Sequence, residues 1–273
     1  MEYNGSLIVS PSKAEIPIHL NLAIADVCVA AIASRGVFTI ALSGGSLPSF
    51  LATMRDAFDK RGVDPKFDSW FVIMADERCV KSHHPDSNLG ALQEKLFTSI
   101  PVPESQIYGI NEDKLEESTD AVAKDYEIIV RSVLERSGGQ LDLAVLGFGP
   151  DGHTCSLFPG HPLLKEERVM VAPIEDSPKP PLCRITLTYP VLNTMTRHVI
   201  FCGAGESKAP ILQAVFDSIS TTGDTADGRI VYRVVMREPC QYPCGGVLPN
   251  TEGTENKLIW VVDNDAMDCV SIS

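Results

Sequence analysis

The first residues here that could do chemistry are Asp151 and His153, two apart on the constrained turn GFGPDGH. An imidazole near neutral pH can take a proton from water, and a nearby carboxylate can orient the ring or steady its cation. Ser43-Gly44-Gly45-Ser46 follows an apolar run and precedes a helical one. Its glycines would let a phosphate approach the backbone at a helix start, although Gly-Gly is equally at home in a plain tight turn. The same residues read A-x-S-x-G from Ala41 to Gly45, a relative of the nucleophile elbow, with Ser43 in the nucleophile position. No upstream oxyanion loop of the HGGG kind accompanies it. Arg78 follows two carboxylates, Asp76 and Glu77, and a surface cation in that position is ordinarily solvated and idle. Arg184 opens a strand after a proline-rich loop, a placement suited to bidentate phosphate recognition. Lys208 sits near a helix start, where the dipole disfavours it and a bound phosphate would offset that cost.

Short apolar runs alternating with helix-like stretches must position these groups. That alternation predicts an α/β fold with a mainly parallel sheet. Strands are expected at Ser6–Val9, Val37–Leu42, Ser69–Ala75, Leu141–Gly147, Arg184–Tyr189, His198–Cys202 and Leu258–Val262. Helices are expected at Pro17–Ser34, Leu47–Lys60, Asn88–Thr98, Lys114–Glu135 and Glu206–Phe216. Pro173–Pro181 carries four prolines and reads as an extended surface loop. Asp217–Gly246 has no clear period and reads as an irregular insertion with one strand, Ile230–Val235. Without repeats or a long linker, residues 1–273 are expected to form one domain. Four polar or glycine-rich loops directly follow strands, so all would gather on the carboxyl-end rim of the sheet, where open α/β sheets bind ligands.

Composition limits the partners. The chain has 273 residues, 44% hydrophobic, with 23 basic and 36 acidic side chains giving a formal charge of −13. Such a field attracts neither nucleic acid nor anionic membrane. The best apolar run, Leu22–Ala33, is interrupted by Asp26 and is short for a bilayer span, and no basic-then-apolar leader opens the chain. Eight cysteines show no CxxC pair, so a reduced, cytoplasmic protein is expected, and a monomer. Cys240 and Cys244 lack a second pair at metal spacing, and His83-His84-Pro85-Asp86 reads as a solvated loop, so no metal is expected. GFGPDG fits G-x-G-x-x-G, but Pro159-Gly160 interrupts the helix that a dinucleotide would need.

Taken together, these loops resemble the glucosamine-6-phosphate isomerase/6-phosphogluconolactonase family, on its lactonase side. The resemblance rests on ALSGGSLPSFL, ADERCV with Ser87-Asn88 following, IPVPESQIYGIN, LDLAVLGFGPDGHTCSLFPGHPLL, APIEDSPKPPLCRITLTYPVLN, VIFCGAGESKAPIL and a weaker LIWVVDNDA. The deaminase branch has Asp-Glu-Tyr where this chain has Asp76-Glu77-Arg78, and a Glu where it has Phe158. A phenylalanine cannot supply the acid or base that amine chemistry needs. The resemblance implies a Rossmann-like three-layer α/β sandwich that hydrolyses 6-phospho-D-glucono-1,5-lactone to 6-phospho-D-gluconate in the oxidative pentose phosphate pathway, without cofactor. It further implies that Gly44, Gly45, Ser46, Arg184 and Lys208 hold the phosphate. His153 would activate water, Asp151 position it, and Arg78 stabilise the oxyanion, with Ser43, Asp76 and Asn88 also in the pocket. A sugar-phosphate isomerase using Asp76 as base, and a non-enzymatic sugar-phosphate sensor, are the competing readings. The chain departs from the family over Asp217–Gly246 and at Leu248-Pro249-Asn250, where Leu-Pro-Ala-x-x-Val is usual. Cys79 and Cys155 flank the implied catalytic residues; both fit simple packing roles, although oxidation there would be expected to reduce activity.

Overall fold

The computed structural model describes residues 2–224, 229–250 and 257–272. Strand β1 (Asn4–Ser10) leads into helix α1 (Ile16–Arg35), which carries Pro17 in its first turn and is capped by Gly36 in the left-handed conformation, φ 74°. Then come β2 (Phe38–Leu42), α2 (Leu47–Leu51), α3 (Met54–Arg61), β3 (Trp70–Met74), β4 (Asp76–Arg78) and α4 (Asn88–Lys95). The middle of the chain supplies β5 (Ile107–Tyr108), α5 (Thr119–Arg136), β6 (Leu141–Gly147), β7 (Val171–Ile174) and β8 (Arg184–Leu187). It closes with β9 (Thr196–Cys202), α6 (Ala209–Val215), β10 (Phe216–Asp224), β11 (Ile230–Met236) and β12 (Leu258–Asp263).

Nine strands form one sheet in the order β10-β11-β1-β12-β9-β6-β2-β3-β5. From β1 to β5 every neighbouring pair is parallel, and only β11 and β10 add antiparallel edges. All of β2 and nearly all of β6 are buried, the mark of a sheet covered on both faces. The fold is therefore the expected mainly parallel α/β sandwich. A second, antiparallel sheet, β4-β8-β7, stands apart from it. The strand expected at Arg184–Tyr189 belongs to this small sheet, and β7 occupies the start of the segment expected to be a proline-rich loop.

Several boundaries differ from the sequence reading for identifiable reasons. The helix expected over Leu47–Lys60 breaks into α2 and α3. The Asn21 side chain, from α1, takes the Phe50 carbonyl at 3.0 Å, which a continuous helix would give to the Met54 N–H. The helix expected over Lys114–Glu135 starts late because Ser118 caps α5, accepting from the Ala121 N–H at 3.0 Å. Glu206–Phe216 likewise begins as a 3-10 turn at Glu206–Lys208 before α6. Within Asp217–Gly246 the one expected strand, Ile230–Val235, is present as β11, while the stretch before it, expected to be irregular, is a second strand, β10; β11 pairs with both β10 and β1. Serine and threonine dominate β10, which hid its alternation.

The expectation that no segment could span a bilayer also needs correction. Residues 13–35 are helical, long and apolar enough by length and composition alone. In the fold this helix packs on α2, α3 and the sheet, with Ile16, Leu20, Ile24 and Cys28 fully buried. Its apolar character all round is that of a core helix.

At the edge of the sheet away from the strand carboxyl ends, Asp142 is fully buried. It accepts from Arg35 at 2.5 Å, Arg197 at 3.0 Å and the Thr39 N–H at 2.9 Å. Replacing it with alanine leaves the Thr39 N–H without its acceptor and takes from two partly buried guanidiniums, Arg35 and Arg197, their one carboxylate partner among the described residues. Asp142→Ala is expected to lower the unfolding free energy by about 3–5 kcal/mol, read as a fall in urea midpoint with an unchanged m-value.

Candidate active site

The carboxyl ends of β2, β3, β6 and β9 open onto one cleft of about 260 Å³. Ser43, Gly44, Gly45 and Ser46 line it from the first loop, and Asp76 and Arg78 from β4. Asn88, His153, Arg184 and Lys208 complete the polar wall. Asp151 stands behind His153 rather than on the lining. Every other sequence-predicted residue is thus brought to one place, from loops up to about 165 positions apart.

The turn after β6 is built around its glycines. Gly152 has φ 77°, and a Cβ on Gly149 would lie 2.1 Å from His153 Nδ1 and 2.3 Å from Asp151 Oδ1. Only glycine at 149 leaves room for the pair to close. His153 Nδ1 and Asp151 Oδ1 are in short hydrogen-bond contact. With the carboxylate ionised, Nδ1 carries the proton and donates, which leaves the Nε2 lone pair as the basic position. Burial resists the charge on Asp151, but the bonds from His153 and Lys179 win and hold its carboxyl well below the usual range. Burial lowers the His153 pKa first of all, and the Asp151 carboxylate opposes this only in part. Both the direction and its cause favour the uncharged ring, the form that could accept a proton.

Lys179 and Tyr242, which sequence reasoning missed, and Phe158, which it singled out only for what it cannot supply, complete this turn. Lys179 places Nζ 3.0 Å from Asp151 Oδ2 and 3.1 Å from His153 Nδ1. Nothing local in the proline-rich segment signalled this, since Lys179 lies 26 residues beyond the histidine. The Phe158 ring stacks on His153 with centroids 5.0 Å apart, fixing the imidazole plane. From the hairpin region, Tyr242 packs so closely on Gly152 that a Cβ there would lie 2.4 Å from its ring, and the Cys244 N–H donates to Gly152 O at 3.0 Å. The segment after β11 therefore buttresses the turn that carries Asp151 and His153.

The cationic wall is less uniform than expected. Arg184 donates from Nε to Pro181 O (2.9 Å) and from Nη2 to Lys179 O (2.9 Å) and Pro180 O (3.0 Å). Three of its donors thus hold the 179–181 loop, leaving Nη1 for a ligand. Burial, then the neighbouring Arg78, lowers the pKa of Arg184. Lys208 donates to Phe148 O at 2.5 Å over the Phe148 ring, and burial lowers its pKa, with Lys179 next. Asp263 supports the Lys208 loop, accepting from the Gly205 N–H at 2.9 Å.

The remaining candidates have structural engagements. Asp76 accepts from Ser156 Oγ at 2.9 Å, and Asn88 Nδ2 donates to Asp76 O at 2.8 Å. The Asn88 side chain presses on Gly44, where a Cβ would lie 1.8 Å from Oδ1. Ser43 Oγ is buried with no base hydrogen-bonded to it among the described residues, so nothing there would activate it as a nucleophile. The helix after the SGGS turn, α2, spans only Leu47–Leu51, so its dipole is weaker than the longer helix expected from sequence would provide.

Fold and cleft together define the class: an α/β enzyme with its site on the carboxyl-end loops of a parallel sheet. A sequence profile described as glucosamine-6-phosphate isomerases/6-phosphogluconolactonase matches residues 11–255. A 6-phosphogluconolactonase from Homo sapiens is 36% identical over 270 residues, covering 98% of this chain and 95% of that one. One from Rattus norvegicus is 44% identical over 185 residues, covering 67% and 70%. Among solved structures, 6-phosphogluconolactonase from Trypanosoma cruzi superimposes with a TM-score of 0.74 at 24% identity, covering 99% of this chain and 98% of that one. A monomeric glucosamine-6-phosphate deaminase shares the fold too, with a TM-score of 0.68 at 18% identity over 96% and 98%. The chain belongs to the glucosamine-6-phosphate isomerase/6-phosphogluconolactonase family, and it is an enzyme of the family's hydrolase side.

Proposed function

We propose that this chain hydrolyses 6-phospho-D-glucono-1,5-lactone to 6-phospho-D-gluconate, in the oxidative pentose phosphate pathway, by His153-activated attack of water. One observation carries the reading: a histidine oriented by a carboxylate shares a cleft with Arg78, with Arg184 opposite it across the β4–β8 ladder, and with Lys208. Water loses a proton to His153 Nε2 as its oxygen adds to the lactone carbonyl. Arg78 meets the charge that develops on the carbonyl oxygen, and collapse breaks the ring C–O bond. The proton on His153 then passes to the departing ring oxygen. Gly44, Gly45, Ser46, Arg184 and Lys208 hold the phosphate, which fixes which carbonyl is presented.

Fold alone does not separate lactonase from deaminase. Phe158 supports the lactonase, because its ring stacks on His153 where the deaminase pattern carries an acid. The reading includes no cofactor, a monomer and a cytoplasmic location, although rice relatives are named chloroplastic. The test is hydrolysis of freshly generated 6-phosphogluconolactone, corrected for the spontaneous rate, with fructose-6-phosphate and glucosamine-6-phosphate assayed alongside. Acceleration of the lactone alone is expected. Turnover of glucosamine-6-phosphate instead would overturn the assignment. Lys208→Ala is expected to raise KM about tenfold or more while kcat changes less, since one charge-assisted phosphate contact is worth about 1.5–3 kcal/mol. An unchanged KM would remove Lys208 from the phosphate site.

A further inference from the structure

Strands β4 and β8 are antiparallel, with Glu77 opposite Ile185 and Arg78 opposite Arg184. The ladder continues one step further. The Cys79 N–H donates to Cys183 O at 3.0 Å, so the two cysteines face each other directly across the strands. Side chains of facing residues share one face, and successive residues alternate. The cysteines therefore lie on the face away from Arg78 and Arg184, yet each is covalently next to one of those arginines.

Facing residues in a hydrogen-bonded antiparallel pair have Cα atoms about 5.5 Å apart, inside the span of about 4.4–6.8 Å that a disulfide bridges. Their Cβ atoms, at about 4.5–5.5 Å, would need to close by about 1 Å. A bond made under that strain is readily reduced again. Access sets the pair apart from half of the thiols. Cys28, Cys155, Cys202 and Cys244 are buried, whereas Cys183 and Cys269 are exposed and Cys79 and Cys240 half-buried. What distinguishes Cys79 and Cys183 is that they are accessible and face each other across a ladder.

We propose that Cys79 and Cys183 are a redox-active dithiol, which a peroxide converts to a cross-strand disulfide that displaces Arg78 and Arg184 and lowers the activity of the cleft. The Cys183 thiolate attacks the peroxide, forming an S–O bond as the O–O bond breaks, and the departing oxygen leaves as water. Cys79 then attacks the sulfenic sulfur. An S–S bond forms, the S–O bond breaks, and a second water leaves. Two thiols lose two electrons and two protons to hydrogen peroxide, giving one disulfide and two waters. The order of attack follows exposure. Burial, with Cys183 adding, pushes the Cys79 thiol up to about 12, which suits the second step rather than the first.

The experiment treats the reduced full-length protein with hydrogen peroxide, then counts free thiols and maps disulfides by peptide mass. The eight thiols should fall to six, with the bridge between Cys79 and Cys183. Cys79→Ser should leave a sulfenic acid at Cys183 that dimedone traps, and Cys183→Ser should abolish the bridge. In wild type, kcat/KM should fall about tenfold and recover with dithiothreitol, since sub-ångström to 1 Å misplacement of site groups costs up to about 10²-fold. Cys183→Ser should keep its reduced-state rate under peroxide. Eight surviving thiols, or a bridge at Cys240–Cys244 instead, would overturn the pair. A mapped Cys79–Cys183 bridge without rate loss would overturn the switch. The kinetic arm rests on the lactonase reading. Peptide mapping does not, so a protein inactive on lactone would sink that reading while the pair is still decided.

Discussion

Replacing His153 with alanine is expected to cut kcat for 6-phosphogluconolactone by about 10²–10⁴-fold, the usual worth of a positioned general base. KM should move far less, because the phosphate anchors are separate residues. The geometry gives the reason. Asp151 occupies Nδ1, the Phe158 ring fixes the imidazole plane, and Nε2 is left as the basic nitrogen. Asp151→Asn keeps the shape but lets an amide N–H donate to Nδ1. That stabilises the tautomer with its proton on Nε2, so kcat should fall here also, though less than in His153→Ala. The pH profile carries an independent sign. The base works when neutral, and burial holds its pKa below the ordinary imidazole value. Wild-type kcat/KM should therefore fall on the acid side with its midpoint below about pH 6.5, as His153 takes up a proton. An acid limb at or above that value, or His153→Ala with wild-type turnover after correction for spontaneous hydrolysis, would remove His153 as the base and turn attention to Asp76.

The parts of this site legible in the sequence are those in which one loop carries its own chemistry. GFGPDGH announces its turn, its histidine and its carboxylate within seven residues, and β6 before it is a continuous apolar run whose observed limits match the expected ones. What escaped depends on distance. Lys179 reaches Asp151 because Arg184 holds the carbonyls of residues 179–181, a relation among three segments that no spacing encodes. Strand β4 is three residues long and has no period to detect, yet it sets Arg78 opposite Arg184. Strand β10 escaped because it is Ser- and Thr-rich, and the segment beyond the β10–β11 hairpin proved to carry Tyr242 against Gly152. Helix ends failed where a side chain from elsewhere took a backbone group, as Asn21 does at Phe50.

Arg78→Met should produce the second large effect, a loss of about 10²–10³-fold in kcat with KM nearly unchanged. Arg78 is tethered through Nη1 to Asp86 O at 2.7 Å, while its Nε is buried without a hydrogen-bond partner among the described residues. Such a donor costs stability unless something arrives to accept from it. Its partner across the ladder is another guanidinium, Arg184, and like charges facing each other in an antiparallel pair are destabilising. An anion in the cleft relieves both costs. The ground-state lactone carbonyl is neutral, and the tetrahedral intermediate is not, so the relief is greatest after attack and appears in kcat rather than KM. The same argument fixes the sign of a stability change. With the repulsion removed, unliganded Arg78→Met should melt no lower than wild type, and slightly higher, even as it loses activity. Arg78→Lys keeps the charge but not the fork and should recover only part of the rate. If Arg78→Met instead raised KM at constant kcat, Arg78 would be a phosphate ligand. The oxyanion would then fall to another cation, and Lys179, beside His153, would be the next to replace.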